Sequence, residues 1–350
     1  MASRRPLDLS RIGESKLLFP IVALVLILLF DLIFEPGFFA METVDGHLFG
    51  NLIDIPRNGA TIMLLALGMT LVIATGGIDL SVGAVMAISA SVAAILIHPD
   101  LQPLTRDPNA TATPLPIVLL VTLAVATLCG LWNGLLVAYG NIQPMVATLI
   151  LMIAGRGIAQ LLTEGVRVQI FYEPYAFLGN GWIILPVSLF VVAAVYLGAW
   201  FGTRRTSLGL FIESVGINSR ASFYSGIGEK QVKLVAYMFC GFCAGMAGLV
   251  ASSNIRTSDA NNIGLDFELD AILAVVIGGT SLAGGRFSLM ASLVGALVIQ
   301  AITTSMYAAG VPANALLAIK GTVVIIVILV FSAQVRDWVR ARTSARPAPT

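Results

Sequence analysis

The sequence predicts an all-α, polytopic membrane helical bundle of about ten transmembrane segments with both termini cytoplasmic. Three observations carry that expectation. Of 350 residues, 57% are hydrophobic and only 11% are charged, whereas an ordinary soluble domain carries about 25% charge. Apolar surface left in water costs about 25 cal/mol per Å², so a water-facing shell cannot be built from this composition. The apolar residues also come in runs close to the roughly 20 residues with which a helix crosses a hydrocarbon core of about 30 Å. Finally, Lys and Arg alternate along those runs in the sense that sets orientation.

Taken in order, the candidate spans fall near 17–34, 57–75, 82–97, 115–139, 144–163, 182–202, 231–252, 268–279, 288–309 and 314–333. This divides the chain into a cytoplasmic tail (1–16), a membrane domain (17–335) and a second cytoplasmic tail (336–350). The first span follows Arg4, Arg5, Arg11 and Lys16 and has the look of a secretory signal. No small-x-small cleavage site follows Phe30, however, and an uncleaved helix is expected. Segment 268–279 is too short to cross alone and reads as a half-helix completed by the glycine-rich stretch behind it.

With the N-terminus inside, an even number of spans returns the C-terminus to the same side. The inner segments then hold fourteen of the 20 Lys and Arg residues, and the outer segments only Arg57, Arg106, Arg167 and Arg256. The remaining two, Arg156 and Lys320, lie within spans. The outer segments 98–116 and 253–267 are rich in the turn formers Pro, Asn, Thr and Asp.

Several function classes drop out. A net charge of +1 without a basic cluster gives no reason to expect nucleic acid. Cys129, Cys240 and Cys243 sit in apolar runs and read as small packing residues. With His47 and His98 as the only histidines, a histidine-rich metal centre is excluded, and no metal site is assigned. Neither a phosphate-binding G-x-x-x-x-G-K-[ST] loop nor an H-E-x-x-H zinc helix occurs. No catalytic residue is assigned, and ATP-driven work would need another polypeptide.

Three features interrupt the apolar background. The longest inner segment, 203–230, offers an apolar face of Ile212, Val215, Phe223 and Ile227 around the break Gly216-Ile217-Asn218. Asn218 is placed to cap a short helix, and Gly226 to end it in the left-handed conformation. The pair of short helices reads either as an interfacial element or as a docking knob for a cytoplasmic partner. Next, Thr75–Gly83 and Gly278–Arg286 share the pattern GGxxLxxG, aligning Gly76 with Gly278 and Gly83 with Gly285. Such breaks serve close helix packing or line a water-filled path, because non-helical backbone at membrane depth is otherwise excluded.

Third, polar groups lie in or beside the spans, where a charge near the bilayer centre costs about 2.5–3.5 kcal/mol on insertion scales. Arg156 and Asp79 suggest a structural pair, and Lys320 a snorkelling or subunit-bridging group. The alternative is direct substrate contact. The candidates for a translocation path are Gly76, Gly77, Asp79, Ser81, Asn133, Gln143, Gly278, Gly279, Thr280 and Ser281.

The runs TGGIDLSVGAVMA (75–87), LWNGLLVA (131–138), IQPMVATLILMIAGRG (142–157), VGINSRASFYSGI (215–227) and ELDAILAVVIGGTSLAGGRF (268–287) carry a resemblance. Together they are similar to the permease subunit of ribose-type bacterial ABC sugar importers. The runs 146–163 and 258–279 resemble in particular the galactofuranose branch of that family. The resemblance implies a type II importer-like bundle in the bacterial inner membrane that passes a monosaccharide and is not itself an enzyme. It implies as partners a second permease, identical or sister, a cytoplasmic subunit with two fused ATPase modules, and a periplasmic sugar-binding protein. ATP and Mg then sit on the ATPase, and this chain binds no cofactor. Glu213, Gly216, Asn218, Ala221, Ser225 and Gly226 fall, by the same resemblance, in the coupling helix that enters the ATPase. Two competing readings are an ion-coupled secondary transporter, for which Asp79 and Asp270 are sparse material, and a membrane-embedded enzyme acting on lipid-linked sugars.

Overall fold

A computed structural model describes residues 17–35, 37–44, 47–98, 113–312, 315, 317–323 and 325. In chain order the elements are α1 (Leu18–Phe34), β1 (Glu42–Val44), β2 (His47–Phe49), α2 (Asn51–Ala74), α3 (Val82–Ile97), α4 (Leu115–Ala138) and α5 (Pro144–Leu162). They continue with β3 (Val168–Gln169), α6 (Glu173–Asn180), α7 (Val187–Arg204), α8 (Leu208–Ile217), α9 (Ser219–Tyr224), α10 (Glu229–Ile255), β4 (Thr257–Ser258), α11 (Phe267–Ile277) and α12 (Leu289–Ala308). Residues 317–323 are again helical. The tails 1–16 and 336–350 and most of the tenth expected span, 314–333, lie outside the described residues.

Six of these helices, α2, α4, α5, α7, α10 and α12, are long and apolar enough to cross a membrane, while α1, α3 and α8 are shorter apolar helices. A helix that is apolar all round must be surrounded, and this sorts them. The apolar window of α2 is 89% buried inside the chain, against 22% for α4, so α2 is the central post and α4 an outer wall. Around α2 pack α10, α12, α11 and α7, with α4 and α3 against α10 and α5 against α3.

Small residues set those approaches. Where α4 crosses α10, a side chain on Gly130 would run into the Tyr237 carbonyl, and one on Gly241 would come within 2.5 Å of the Ala126 carbonyl. Likewise α2 meets α10 at Gly68, whose added Cβ would lie 2.9 Å from Cys240 Cα and 3.0 Å from Cys243 Cβ. Both cysteines are buried and free, as expected of small residues at a close helix crossing. A hydroxyl pair, Thr70 to Ser292 at 2.8 Å, ties α2 to α12.

Among the described residues two short antiparallel strand pairs lie outside the helical pattern: β1 with β2, and β3 with β4, which sets Val168 opposite Ser258 and Gln169 opposite Thr257. Lys320 meets Asp270 of α11 at 2.6 Å with both side chains largely enclosed, so within this chain it is an intramolecular partner rather than a snorkelling cation. Removing one member of an enclosed pair strands the other charge, at a cost on the order of 3 kcal/mol. Lys320→Met is therefore expected to lower the melting temperature of the purified chain. The double variant Lys320→Met/Asp270→Leu should recover most of the loss. Equal melting for all three proteins would show that the pair contributes nothing.

Candidate functional site

Both glycine-rich breaks are helix C-terminal turns of one kind. At the end of α2, Gly76 takes φ +81°, its N–H reaches the Ile73 carbonyl at 2.9 Å, and the Gly77 N–H reaches Val72 at 3.1 Å. At the end of α11, Gly279 takes φ +74°, its N–H reaches Val276 at 2.9 Å, and the Thr280 N–H reaches Val275 at 3.2 Å. The left-handed residue is glycine in each because a side chain there is strained. The structural counterpart of Gly76 is thus Gly279, not Gly278 as the sequence echo aligned them. Position after the last helical turn decides the match, and the count of paired glycines does not. Gly83 and Gly285 also part company: Gly83 lies in the first turn of α3, while Gly285 remains in the longer second turn at φ +98°.

The two turns meet. The Gly285 N–H donates to the Ala74 carbonyl at 2.9 Å, so the turn after α11 satisfies the last carbonyl of α2. A Cβ on Gly284 would lie 2.9 Å from the Gly216 carbonyl and 3.0 Å from the Gly76 nitrogen. One on Gly216 would collide with the Ala74 carbonyl and come within 2.5 Å of the Gly285 nitrogen. Three separated stretches of sequence therefore touch backbone to backbone at one point.

Gly216 belongs to the α8–α9 element. Its chain breaks at Asn218, φ −157°, whose side chain accepts the Ala221 N–H at 3.0 Å and starts α9. Gly226, φ +81°, ends α9, with the Ile227 N–H returning to the Ser222 carbonyl at 3.0 Å. Ile212 and Val215 are buried, but Phe223 is 65% exposed and Tyr224 86%. The single apolar face expected from Ile212, Val215, Phe223 and Ile227 is thus divided, because the Asn218 break turns α9 away from the face of α8. The rings of Phe223 and Tyr224 meet edge-on at 5.9 Å. Of the expected coupling residues, Gly216 faces the bundle and Glu213 is half-buried, while Asn218, Ala221, Ser225 and Gly226 are exposed.

Deeper in, the segment between α2 and α3 is pinned by Asp79, which is 1% exposed. Its Oδ1 accepts the Ser81 N–H at 2.9 Å, the Ser81 hydroxyl at 2.7 Å and the Asn133 amide at 3.2 Å. The Asn133 amide also reaches Ser81 Oγ at 2.8 Å, joining α4 to the start of α3. The expected Asp79–Arg156 pair does not form. Arg156 instead donates to the Ala260 and Ile263 carbonyls at 3.0 and 2.5 Å, because the irregular backbone before α11 leaves carbonyls unpaired and the guanidinium satisfies them. Near that backbone, Arg167 meets Asp259 at 2.7 Å. Burial works to raise the Asp259 carboxyl, but hydrogen bonds from Asn262 and Asn261 and the Arg167 charge outweigh it, holding it below its ordinary value.

A cavity of about 430 Å³ opens beside the glycine junction, lined by Thr75, Gly76, Gly77, Val137, Asn141, Ile142, Gln143, Pro144, Val215, Gly216, Ser219, Lys233 and Tyr237. It gathers three of the path candidates, Gly76, Gly77 and Gln143. Asp79, Ser81 and Asn133 belong to the pin behind it. Gly278 packs against α12, where an added Cβ would lie 2.7 Å from the Ser292 nitrogen. Gly279 and Ser281 are exposed, and Thr280 is buried with its hydroxyl unpartnered. Sequence reasoning missed Tyr237, Asn141, Ser219 and Lys233 as wall residues. Only Tyr237, a polar tip inside a long apolar run, offered a signal. Among the described residues no group of three or more His, Cys, Asp or Glu is placed to hold a metal.

A family described as "Branched-chain amino acid transport system / permease component" matches residues 51–330. The chain is 47% identical to the galactofuranose transporter permease protein of Escherichia coli over 313 residues, covering 89% of this chain and 88% of the relative. It is 38% identical to the fructose import permease protein of Bifidobacterium longum, covering 90% of this chain and 87% of the relative. With the ribose import permease protein of Escherichia coli the identity is 31%, over 89% of this chain and 92% of the relative. No solved structure matches.

Proposed function

This chain belongs to the family of transport-system permease components, and we propose that it forms the inner-membrane pathway of an ATP-driven bacterial importer of a monosaccharide. Galactofuranose, or a related pentose or hexose, is the cargo favoured by the sugar-importing relatives at 47%, 38% and 31% identity. The chain is a conduit and not an enzyme. It crosses the membrane about ten times with both ends in the cytoplasm, pairs with a second permease, and receives sugar from a periplasmic binding protein. A cytoplasmic subunit with two fused ATPase modules supplies the work and holds the ATP and Mg.

The observation that carries this reading is the α8–α9 element. One side of it is packed backbone to backbone on both helix breaks, and the other presents an edge-on aromatic pair to solvent. An element built that way can take a push from a separate protein and deliver it to both halves of the bundle. Exposed aromatics at such a tip have the character of interface hot spots. Phe223→Ala/Tyr224→Ala is expected to insert and fold normally while weakening co-purification with the ATPase by on the order of tenfold or more. Undiminished assembly would remove α9 from the interface.

The function itself is tested by reconstitution. Vesicles holding the permease, ATPase and binding protein should accumulate the sugar only with ATP. Accumulation by this chain alone under a proton or sodium gradient would establish the ion-coupled alternative instead.

A further inference from the structure

We propose that the cavity beside the glycine junction binds a small neutral polyhydroxyl molecule from the cytoplasmic side, and that its occupancy opposes movement of the α8–α9 element. The inference rests on the reading of that element as the one driven by the ATPase, and it adds a feedback site to it.

The size fits, since about 430 Å³ falls within the range of about 300–1,000 Å³ usual for small-ligand pockets. The chemistry selects the ligand class. The cavity's cation, Lys233, already faces Glu229 at 3.8 Å, so an anionic ligand would find its charge taken. What remains is uncharged. Gln143 and Asn141 bring amide side chains to the lining, and Val137 and Val215 bring apolar ones suited to the C–H face of a sugar ring.

The decisive group is Tyr237. Its side chain is fully buried, and its hydroxyl has no hydrogen-bond partner. The hydroxyl lies against Gly77, itself a wall of the cavity, so closely that a Cβ there would be 2.5 Å from it. A buried hydroxyl left unpaired is costly, and a ligand hydroxyl entering past Gly77 supplies the missing partner. Because Val215 and Gly216 of α8 form one wall, the cavity keeps its shape only while α8 stays on the glycine junction. Any ligand that prefers that shape holds α8 there, and by linkage a shift of α8 weakens the ligand.

The test uses the assembled permease–ATPase complex in nanodiscs, with radiolabelled neutral sugar for binding and ATP hydrolysis followed in parallel. Wild type should bind the sugar without the binding protein, and hydrolysis should fall as the site fills. Tyr237→Phe, which keeps the ring and loses only the hydroxyl, should weaken binding roughly five- to tenfold and relieve the inhibition in step, each hydrolysis rate being taken relative to the same protein's rate without sugar. No sugar binding by wild type, equal binding by Tyr237→Phe, or a preference for a sugar phosphate would each overturn the proposal. In those cases ATP-driven uptake in vesicles would still stand, which separates this failure from failure of the transport reading itself.

Discussion

Gly216→Ala is expected to abolish ATP-driven uptake, leaving less than about 5% of the wild-type rate, although the substitution adds a single methyl group. That methyl has no free space. It would collide with the Ala74 carbonyl and crowd the Gly285 nitrogen, two atoms that already share a 2.9 Å hydrogen bond. Because the three nearest atoms are backbone, no side chain can swing aside to relieve them. Either α8 lifts off the junction or the hydrogen bond between the two breaks is lost. Overpacking of this kind costs about 1–3 kcal/mol, and stranding a buried carbonyl costs a similar amount again. The companion variant Ala221→Trp lies on exposed α9 and should leave melting behaviour unchanged while losing ATPase assembly. Uptake by Gly216→Ala within twofold of wild type would mean that α8 does not bear on the junction during transport.

Asp79→Ala should be equally damaging, and its contrast with Asp79→Asn discriminates between mechanisms. Alanine removes the acceptor shared by the Ser81 N–H, the Ser81 hydroxyl and the Asn133 amide. Each buried donor left without a partner costs about 1–3 kcal/mol, so the start of α3 is expected to loosen and both uptake and thermal stability to fall sharply. Asparagine keeps an oxygen at the same place and should retain more than about half of the uptake, since the acceptor and not the negative charge organises the pin. If asparagine is as inactive as alanine, ionisation of Asp79 is being used, as a proton-coupled carrier would require. Measuring uptake and melting temperature for the two variants side by side separates these outcomes.

Much of the architecture was legible because membrane helices announce themselves by length and composition. The expected spans at 82–97, 115–139 and 144–163 agree with α3, α4 and α5 to within a residue, helped by Pro144 at the start of α5. The cap at Asn218 and the left-handed stop at Gly226 were likewise readable, since each depends on one residue type doing what its backbone allows. What could not be read depended on distant partners. The α6 helix lies between the expected spans 144–163 and 182–202, where no element was expected, and the β3–β4 pairing joins residues 168–169 to 257–258. Arg156 was matched to a carboxylate because sequence displays charges and hides carbonyls. The partner of Lys320 was invisible for the same reason of separation, and the register of the glycine echo required knowing where each helix ends.

The bond between Gly285 and Ala74 has a kinetic implication. It couples the first and second halves of the polypeptide into a latch, so neither break can yield by itself without parting the Gly285 N–H from the Ala74 carbonyl. Intermediate postures are therefore penalised. The bundle should switch between two states in one concerted snap, with single-molecule distance traces showing paired jumps at both breaks instead of gradual drift.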